Sequence, residues 1–253
     1  MDLEEKYQIV KVIGKGANAV VLLVRDRRIH VLRAAKLISR GHQNKYPGAT
    51  EQYLREAAFL KNLNHPYIPR MIEYFENRDY LCIIMDYIEG KTVADLIRRD
   101  GTIPEKQVVL IARQLCQVLE YLHMQRKPVI YGDLKPENII RRRDGTISLV
   151  DFGAACSIYK YGYADLAVGT VGYAAPEVIS REKTADEQTD IYSLGATLCM
   201  MLTGELPPEG KVRMVIQIRK HASFRLGCIV LKCLRKNRKY RYRKVTDIRK
   251  DLK

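Results

Sequence analysis

The sequence predicts an α+β chain of two unlike lobes: a small β-rich N-terminal lobe with one helix, then a larger helical lobe. Three observations lead there. Residues 7–38 are runs of Val, Ile and Leu broken by glycines or charged turns, as strands are. After Gly90 the apolar residues recur at helical spacing instead. The 253 residues are enough for two small lobes around a cleft and for a real core.

Taken in order, strands are expected over 7–13, 19–25 and 29–38. A helix follows over 51–64, with Leu54, Ala57, Ala58 and Leu60 on one side, and His65-Pro66 ends it. Runs 68–75 and 80–88 read as a strand pair turning near Asn77-Arg78-Asp79, and 86–90 as a short crossing segment. A short helix is expected over 92–99 and a long one over 104–124, with Pro104 in its first turn. Val108, Ile111, Ala112, Leu115, Val118, Leu119 and Leu122 form its apolar stripe. Residues 190–203 are apolar nearly all round, so that helix is central and buried. Further helices fit 211–220, 224–235 and 245–252. One domain is expected over 7–253, its lobes being 1–87 and 88–253, with ligand binding in the cleft between them.

Composition narrows the function classes. Hydrophobic residues make up 47% and charged residues 29%, an ordinary globular balance rather than a disordered one. No apolar run approaches a bilayer span, and the N-terminus MDLEEKYQIV is too acidic for a secretory signal. The cysteines Cys82, Cys116, Cys156, Cys199, Cys228 and Cys233 form no Cys-x-x-Cys pair. They read as buried free thiols in a reducing compartment, and no cysteine–histidine spacing suits zinc. Net charge is +15, and residues 235–253 hold ten Lys/Arg against two Asp. That tail could meet nucleic acid or a membrane surface. A solvated helix face with some arginines used internally is the preferred reading, since no nucleic-acid motif accompanies the charge.

Five segments could carry chemistry. In Ile13–Val21, IGKGANAVV, a glycine turn between strands lets N–H groups approach phosphates, although Ala19 takes a third glycine position and a plain hairpin fits as well. Lys36 lies in an apolar strand; facing inward it needs a partner, and Glu56 on the following helix is the natural one. Asp133, Lys135 and Asn138 fall within six residues on a loop. There a carboxylate can orient a hydroxyl, a lysine can neutralise phosphoryl charge and an amide oxygen can ligate magnesium. Asp151, in VDFGA, is a hard oxygen ligand after an apolar strand. Ala175-Pro176-Glu177 follows a loop rich in Gly and Tyr.

Each segment alone is modest, but their order and spacing together resemble the protein kinase family, from about Tyr7 to Leu252. The resemblance implies the bilobal protein kinase fold, with ATP and Mg2+ as cofactors. It implies that Ile13, Gly14, Lys15, Gly16, Ala17, Asn18, Ala19, Val20 and Val21 cover the ATP phosphates. Val21 and Ala34 would press on adenine, Met85 would be the gatekeeper, Asp86-Tyr87-Ile88 the hinge, and Ile140 a further nucleotide contact. Lys36, paired with Glu56, would contact the α- and β-phosphates. Asp133 would be the catalytic base, Lys135 the γ-phosphate contact, and Asn138 and Asp151 the magnesium ligands. Glu177 would pair with Arg241, and Asp190 would hold the catalytic loop from below.

Lys135-Pro136 and Thr170 are similar to their counterparts in serine/threonine kinases. The short segment 208–233 and Tyr131, at a position usually histidine, resemble bacterial members. The implied activity is transfer of the γ-phosphoryl group of ATP to Ser/Thr hydroxyls of protein substrates, the chain itself included, in the cytoplasm. A homodimer through the small lobe and a membrane tether outside this chain are suggested partners; no specific nucleic acid is. Glu137 could read a basic residue near the acceptor, whereas the basic surface would favour acidic substrates.

Gly132 departs from the pattern, for relatives with arginine there use it to hold an activation-loop phosphate. Residues 154–168 contain one Ser/Thr, Ser157, beside three tyrosines. The expectation is activity without activation-loop phosphorylation. The rival is an ATP-binding pseudokinase, favoured only by Gly132 and Ala19. A small-molecule kinase is disfavoured by Ala-Pro-Glu and the Glu177–Arg241 pairing.

Overall fold

The computed structural model describes residues 3–16, 19–39, 49–157, 169–180, 185–208 and 211–253. The chain falls into two compact units, Met1–Glu89 and Gly90–Lys253.

In the first unit, β1 (Tyr7–Lys15), β2 (Val20–Asp26), β3 (Leu32–Ser39), β4 (Met71–Glu76) and β5 (Tyr80–Asp86) form one antiparallel sheet in the order β1-β2-β3-β5-β4. The helix α2 (Ala49–Asn62) lies between β3 and β4 in sequence. A single turn, α1 (Leu3–Lys6), precedes the sheet and makes one helix more than expected. Four residues are too few to show a helical period or to stand alone. Tertiary bonds hold the turn: Leu3 N–H donates to the Tyr80 hydroxyl at 2.9 Å, Lys6 pairs with Glu73 at 2.6 Å, and the Tyr7 hydroxyl bonds Glu73. The apolar groups packed here are Leu3, Tyr7, Val24, Ala35, Cys82 and Ile84.

The third strand starts three residues later than 29, for a local reason. The Asp26 carboxylate accepts N–H bonds from Arg28 and Ile29, and His30 has a positive φ of 56°. These close a turn on residues that composition reads as strand. The same N–H bonds hold the Asp26 carboxyl below its ordinary range.

In the second unit, β6 (Lys91–Thr92) leads into α3 (Val93–Asp100) and α4 (Glu105–His123). Then come β7 (Val129–Ile130), β8 (Ile139–Arg141), β9 (Ile147–Leu149) and β10 (Cys156–Ser157). The helices α5 (Pro176–Ile179), α6 (Glu187–Thr203), α7 (Lys211–His221), α8 (Phe224–Cys233) and α9 (Val245–Asp251) complete it. The strands form two small sheets, β6-β8-β9 and β10-β7. Strands of two or three residues are too short for an alternation signal, so apart from the apolar strand before Asp151, which is β9, they were not legible.

Helix ends follow capping chemistry. Thr92 and Asp95 form a reciprocal capping box at the start of α3. Asp186 and Thr189 do so at α6, which therefore begins before the expected residue 190. Pro104 is the cap of α4 rather than a first-turn residue, with extended ψ of 136°. The α6 helix is buried on nearly every side and packs on α4, α7 and α8. All six cysteines are free: Cys82, Cys116, Cys199 and Cys233 are buried, Cys156 is half-buried, and Cys228 is exposed, contrary to the expectation of uniform burial.

Candidate active site

In the first unit the sheet register sets the positions of the predicted nucleotide residues. Gly14 and Lys15 of β1 oppose Val21 and Val20 of β2, and Gly16 N–H donates to the Ala19 carbonyl at 2.8 Å to close the turn. A side chain on Gly14 would touch Val21 at 3.4 Å. Ala17 and Asn18 lie outside the described residues. Ile13 is exposed on β1. Across the sheet Val21 opposes Lys36, and Ala34 opposes Met85. The Asp86 carboxylate takes the Arg33 guanidinium at 2.6 Å, and its N–H donates to the Arg70 carbonyl. Ile88, just past β5, is half-buried.

Lys36 and Glu56 meet as the sequence suggested. The ammonium lies 2.7 and 2.6 Å from the two carboxylate oxygens, and Glu56 is 2% exposed. A carboxylate this buried needs such a partner. Both charges are thereby held ready in a place of low exposure.

In the second unit Asp133, Lys135, Asn138 and Thr170 form a closed polar ring. The Thr170 hydroxyl donates to Asp133 Oδ1 at 2.7 Å, and the Thr170 N–H approaches the same oxygen at 3.3 Å. Lys135 Nζ donates to the Thr170 hydroxyl at 2.6 Å and sits 2.7 Å from Asp133 Oδ2. The Asn138 amide donates to the Asp133 carbonyl and to Oδ2, at 2.9 and 3.1 Å. A turn of 3-10 helix, Pro136–Asn138, fixes the spacing. Ile140 follows on β8, half-buried, opposite Thr92 and Ser148.

The loop below is pinned by buried polar groups. Asp190 is fully buried and accepts the N–H groups of Tyr131 and Gly132, each at 2.9 Å, with His123 Nε2 at 2.8 Å. Tyr131 is also buried. Its hydroxyl donates to the Val150 carbonyl at 2.5 Å, and its ring meets Phe152 edge-on at 5.2 Å. The backbone then turns left-handed at Asp151, φ 63°, a conformation a non-glycine residue rarely holds. Gly132 is likewise left-handed, φ 80°, and a Cβ there would stand 2.9 Å from the Ala154 carbonyl.

The donor set fits a magnesium ion. Asp151 is an exposed carboxylate that accepts the Gly153 N–H at 3.2 Å, and the Asn138 amide nitrogen is engaged with Asp133, so the amide oxygen is the end of Asn138 that would meet a cation. Magnesium is usually held by one or two protein oxygens beside substrate phosphates, so this short set suits it. Among the described residues no group of three His, Cys, Asp or Glu forms a cage of its own.

Glu177 and Arg241 form a buried bidentate pair at 2.7 and 3.1 Å, and Arg241 also donates to the carbonyls of Gln188 and Arg235. One arginine of the basic tail is thus structural. Arg238 approaches Glu177 and pairs with Asp186, while Arg249 meets Glu120 at 3.3 Å. Nearby, Tyr173 is held protonated above its ordinary range by burial and by the Glu137 charge.

Sequence reasoning missed Tyr53, His123 and the role of Tyr131. A tyrosine three residues before Glu56 on a helix was a visible signal for Tyr53. The His123–Asp190 contact spans 67 residues and left none.

The family model for the protein kinase domain matches residues 7–250. The chain is 35% identical over 210 residues to serine/threonine-protein kinase cds1 of Schizosaccharomyces pombe, covering 79% of this chain and 45% of that protein. It is 31% identical over 271 residues to serine/threonine-protein kinase PknB of Mycolicibacterium smegmatis, covering 99% and 43%. The PknB of Mycobacterium leprae matches at 30% over 270 residues, with 99% and 43% covered. The chain thus spans less than half the length of these relatives. The ordered motifs, the two units they build and a match over nearly the whole chain have one meaning: this chain belongs to the protein kinase domain family.

Proposed function

We propose that this chain is a serine/threonine protein kinase that transfers the γ-phosphoryl group of ATP to Ser/Thr hydroxyls of protein substrates. The observation that carries this reading is the ring of Asp133, Thr170, Lys135 and Asn138. Asp133 is placed to accept the proton of an incoming hydroxyl and to orient its oxygen. Lys135 offsets the charge of the phosphoryl group in flight. Thr170 bonds both members of the Asp133–Lys135 pair and so fixes their mutual geometry. Lys36, steadied by Glu56, holds the remaining phosphates. Asn138 and Asp151 would hold Mg2+, which when bound supplies charge neutralisation between the phosphates.

The same reading includes independence from activation-loop phosphorylation. Gly132 offers no cation for a loop phosphate. The Ser157 hydroxyl is buried and has no hydrogen-bond partner among the described residues, which makes it a poor acceptor of a phosphoryl group. The remaining loop positions, 158–168, lie outside the described residues. We further place the protein in a reducing, cytoplasmic setting, supported by six free cysteines, one of them exposed. No helix among the described residues is long and apolar enough to cross a membrane.

The deciding experiment is label transfer from radioactive ATP with magnesium, to the chain itself and to a generic basic protein, beside Asp133→Asn. Label on Ser/Thr that vanishes in the variant is expected. Absence of label in the native chain, with ATP still bound, would leave an ATP-binding scaffold as the correct reading. Ser157→Ala should keep most activity; its loss there, restored by Ser157→Glu, would remove the claim of independence.

A further inference from the structure

The α2 helix carries two groups that reach the same residue of β3. Glu56 meets the ammonium of Lys36. Tyr53, one turn earlier and hence on the same face, donates its hydroxyl to the main-chain carbonyl of Lys36. That hydroxyl also lies 3.4 Å from the Leu81 carbonyl on β5, so it sits over two adjacent strands. Tyr53 is 1% exposed. Leu60, a further turn along the same helix, is also buried.

The two contacts do different things. An ion pair to a lysine holds only the tip of a long, flexible stem, and the helix can rock while the pair persists. A hydroxyl bonded to the strand's own backbone has no such slack, because the tyrosine ring is rigid and the sheet backbone is fixed by its ladder. We propose that Tyr53 is a positioning residue for phosphoryl transfer: its buried hydroxyl ties α2 to the main chain of Lys36 and so sets Glu56 against the ammonium. This rests on the kinase reading above. Burial drives the Tyr53 hydroxyl far above its ordinary range, so it remains a donor at any working pH.

The test compares the native chain with Tyr53→Phe, Glu56→Gln and the double variant. Phenylalanine keeps the ring and its packing and removes only the hydroxyl. Turnover of Tyr53→Phe should fall about three- to tenfold, the worth of one buried hydrogen bond. Its melting temperature should move by less than about 4 °C. Backbone amides of α2 should exchange with deuterium faster, and those of α4 and α6 unchanged. In the Glu56→Gln background the tyrosine effect on turnover should shrink below about twofold, since the pair it positions is already broken. A merely structural role would persist there undiminished, and that result overturns the proposal. Unchanged turnover together with unchanged α2 exchange also overturns it. Should the native chain transfer no phosphate, the kinase reading fails, but α2 exchange still decides Tyr53: faster exchange confined to α2 keeps the anchor, and unchanged exchange removes it.

Discussion

Gly132 stands where the family pattern commonly has arginine, and its surroundings show why a side chain is poorly tolerated. Its φ of 80° lies in the left-handed region, its N–H is committed to Asp190, and a Cβ would press the Ala154 carbonyl at 2.9 Å. Gly132→Ala should therefore cost about 1–2 kcal/mol of stability, measurable by denaturant unfolding. It should also slow label transfer, because Asp133 is the next residue. A variant as stable and as active as the native chain would show that the loop relaxes around the methyl group. The glycine is thus a fitted part of this loop rather than a scar.

At the scale of elements, the second unit is tied by a few buried polar bonds between distant segments. The Glu177–Arg241 pair joins α5 to the segment before α9, with Gln188 of α6 sharing the guanidinium. Glu177→Ala leaves a fully buried arginine unpaired, and a loss of about 3–5 kcal/mol is expected. Replacing both partners by apolar residues should cost less, and equal losses in the two unfolding curves would refute this account. Capping gives a smaller, local effect: Thr92→Ala removes one half of the α3 box and should cost about 1 kcal/mol. These elements were unequally legible. Long helices such as α4 carried a periodic stripe. The short strands β6 to β10 and the single turns α1 and α5 did not, since pairing partners far along the chain decide them.

For the whole molecule, charge and thiols give collective behaviour. Ion pairs leave the net charge of +15 unchanged, and Arg235, Lys236, Lys239, Arg243 and Lys244 present part of the excess at the surface. The chain should bind a cation exchanger at pH 7, and any association with polyanions should weaken steeply with salt. Burial raises the thiols of Cys82 and Cys116 from 9.0 to about 12, and that of Cys199 to about 11. The unfolded chain would release these protons near pH 9 while the folded one keeps them. Their contribution to stability is therefore complete below pH 9 and drains away as pH rises toward 12. Unfolding followed from pH 8 to 11 should show a slope that steepens above 9; a flat profile would mean the thiols ionise alike in both states. A thiol reagent at pH 8 should label Cys228 first and the four buried cysteines only on unfolding.

The sequence by itself determined the fold class, the family and the placement of Lys36, Glu56, Asp133, Lys135, Asn138 and Asp151 on their loops, strands and helix. Those features are local or rest on motif order, and a linear chain displays both. The resemblance also implied Thr170 beside Asp133 and Lys135, whereas only the tertiary structure decided Asp190 with His123 under the loop, Tyr131 on Val150, and Tyr53 on the backbone of Lys36. Each is a directional bond between residues roughly 17 to 67 positions apart, and such bonds leave no period in the sequence because packing, not local propensity, selects the partner.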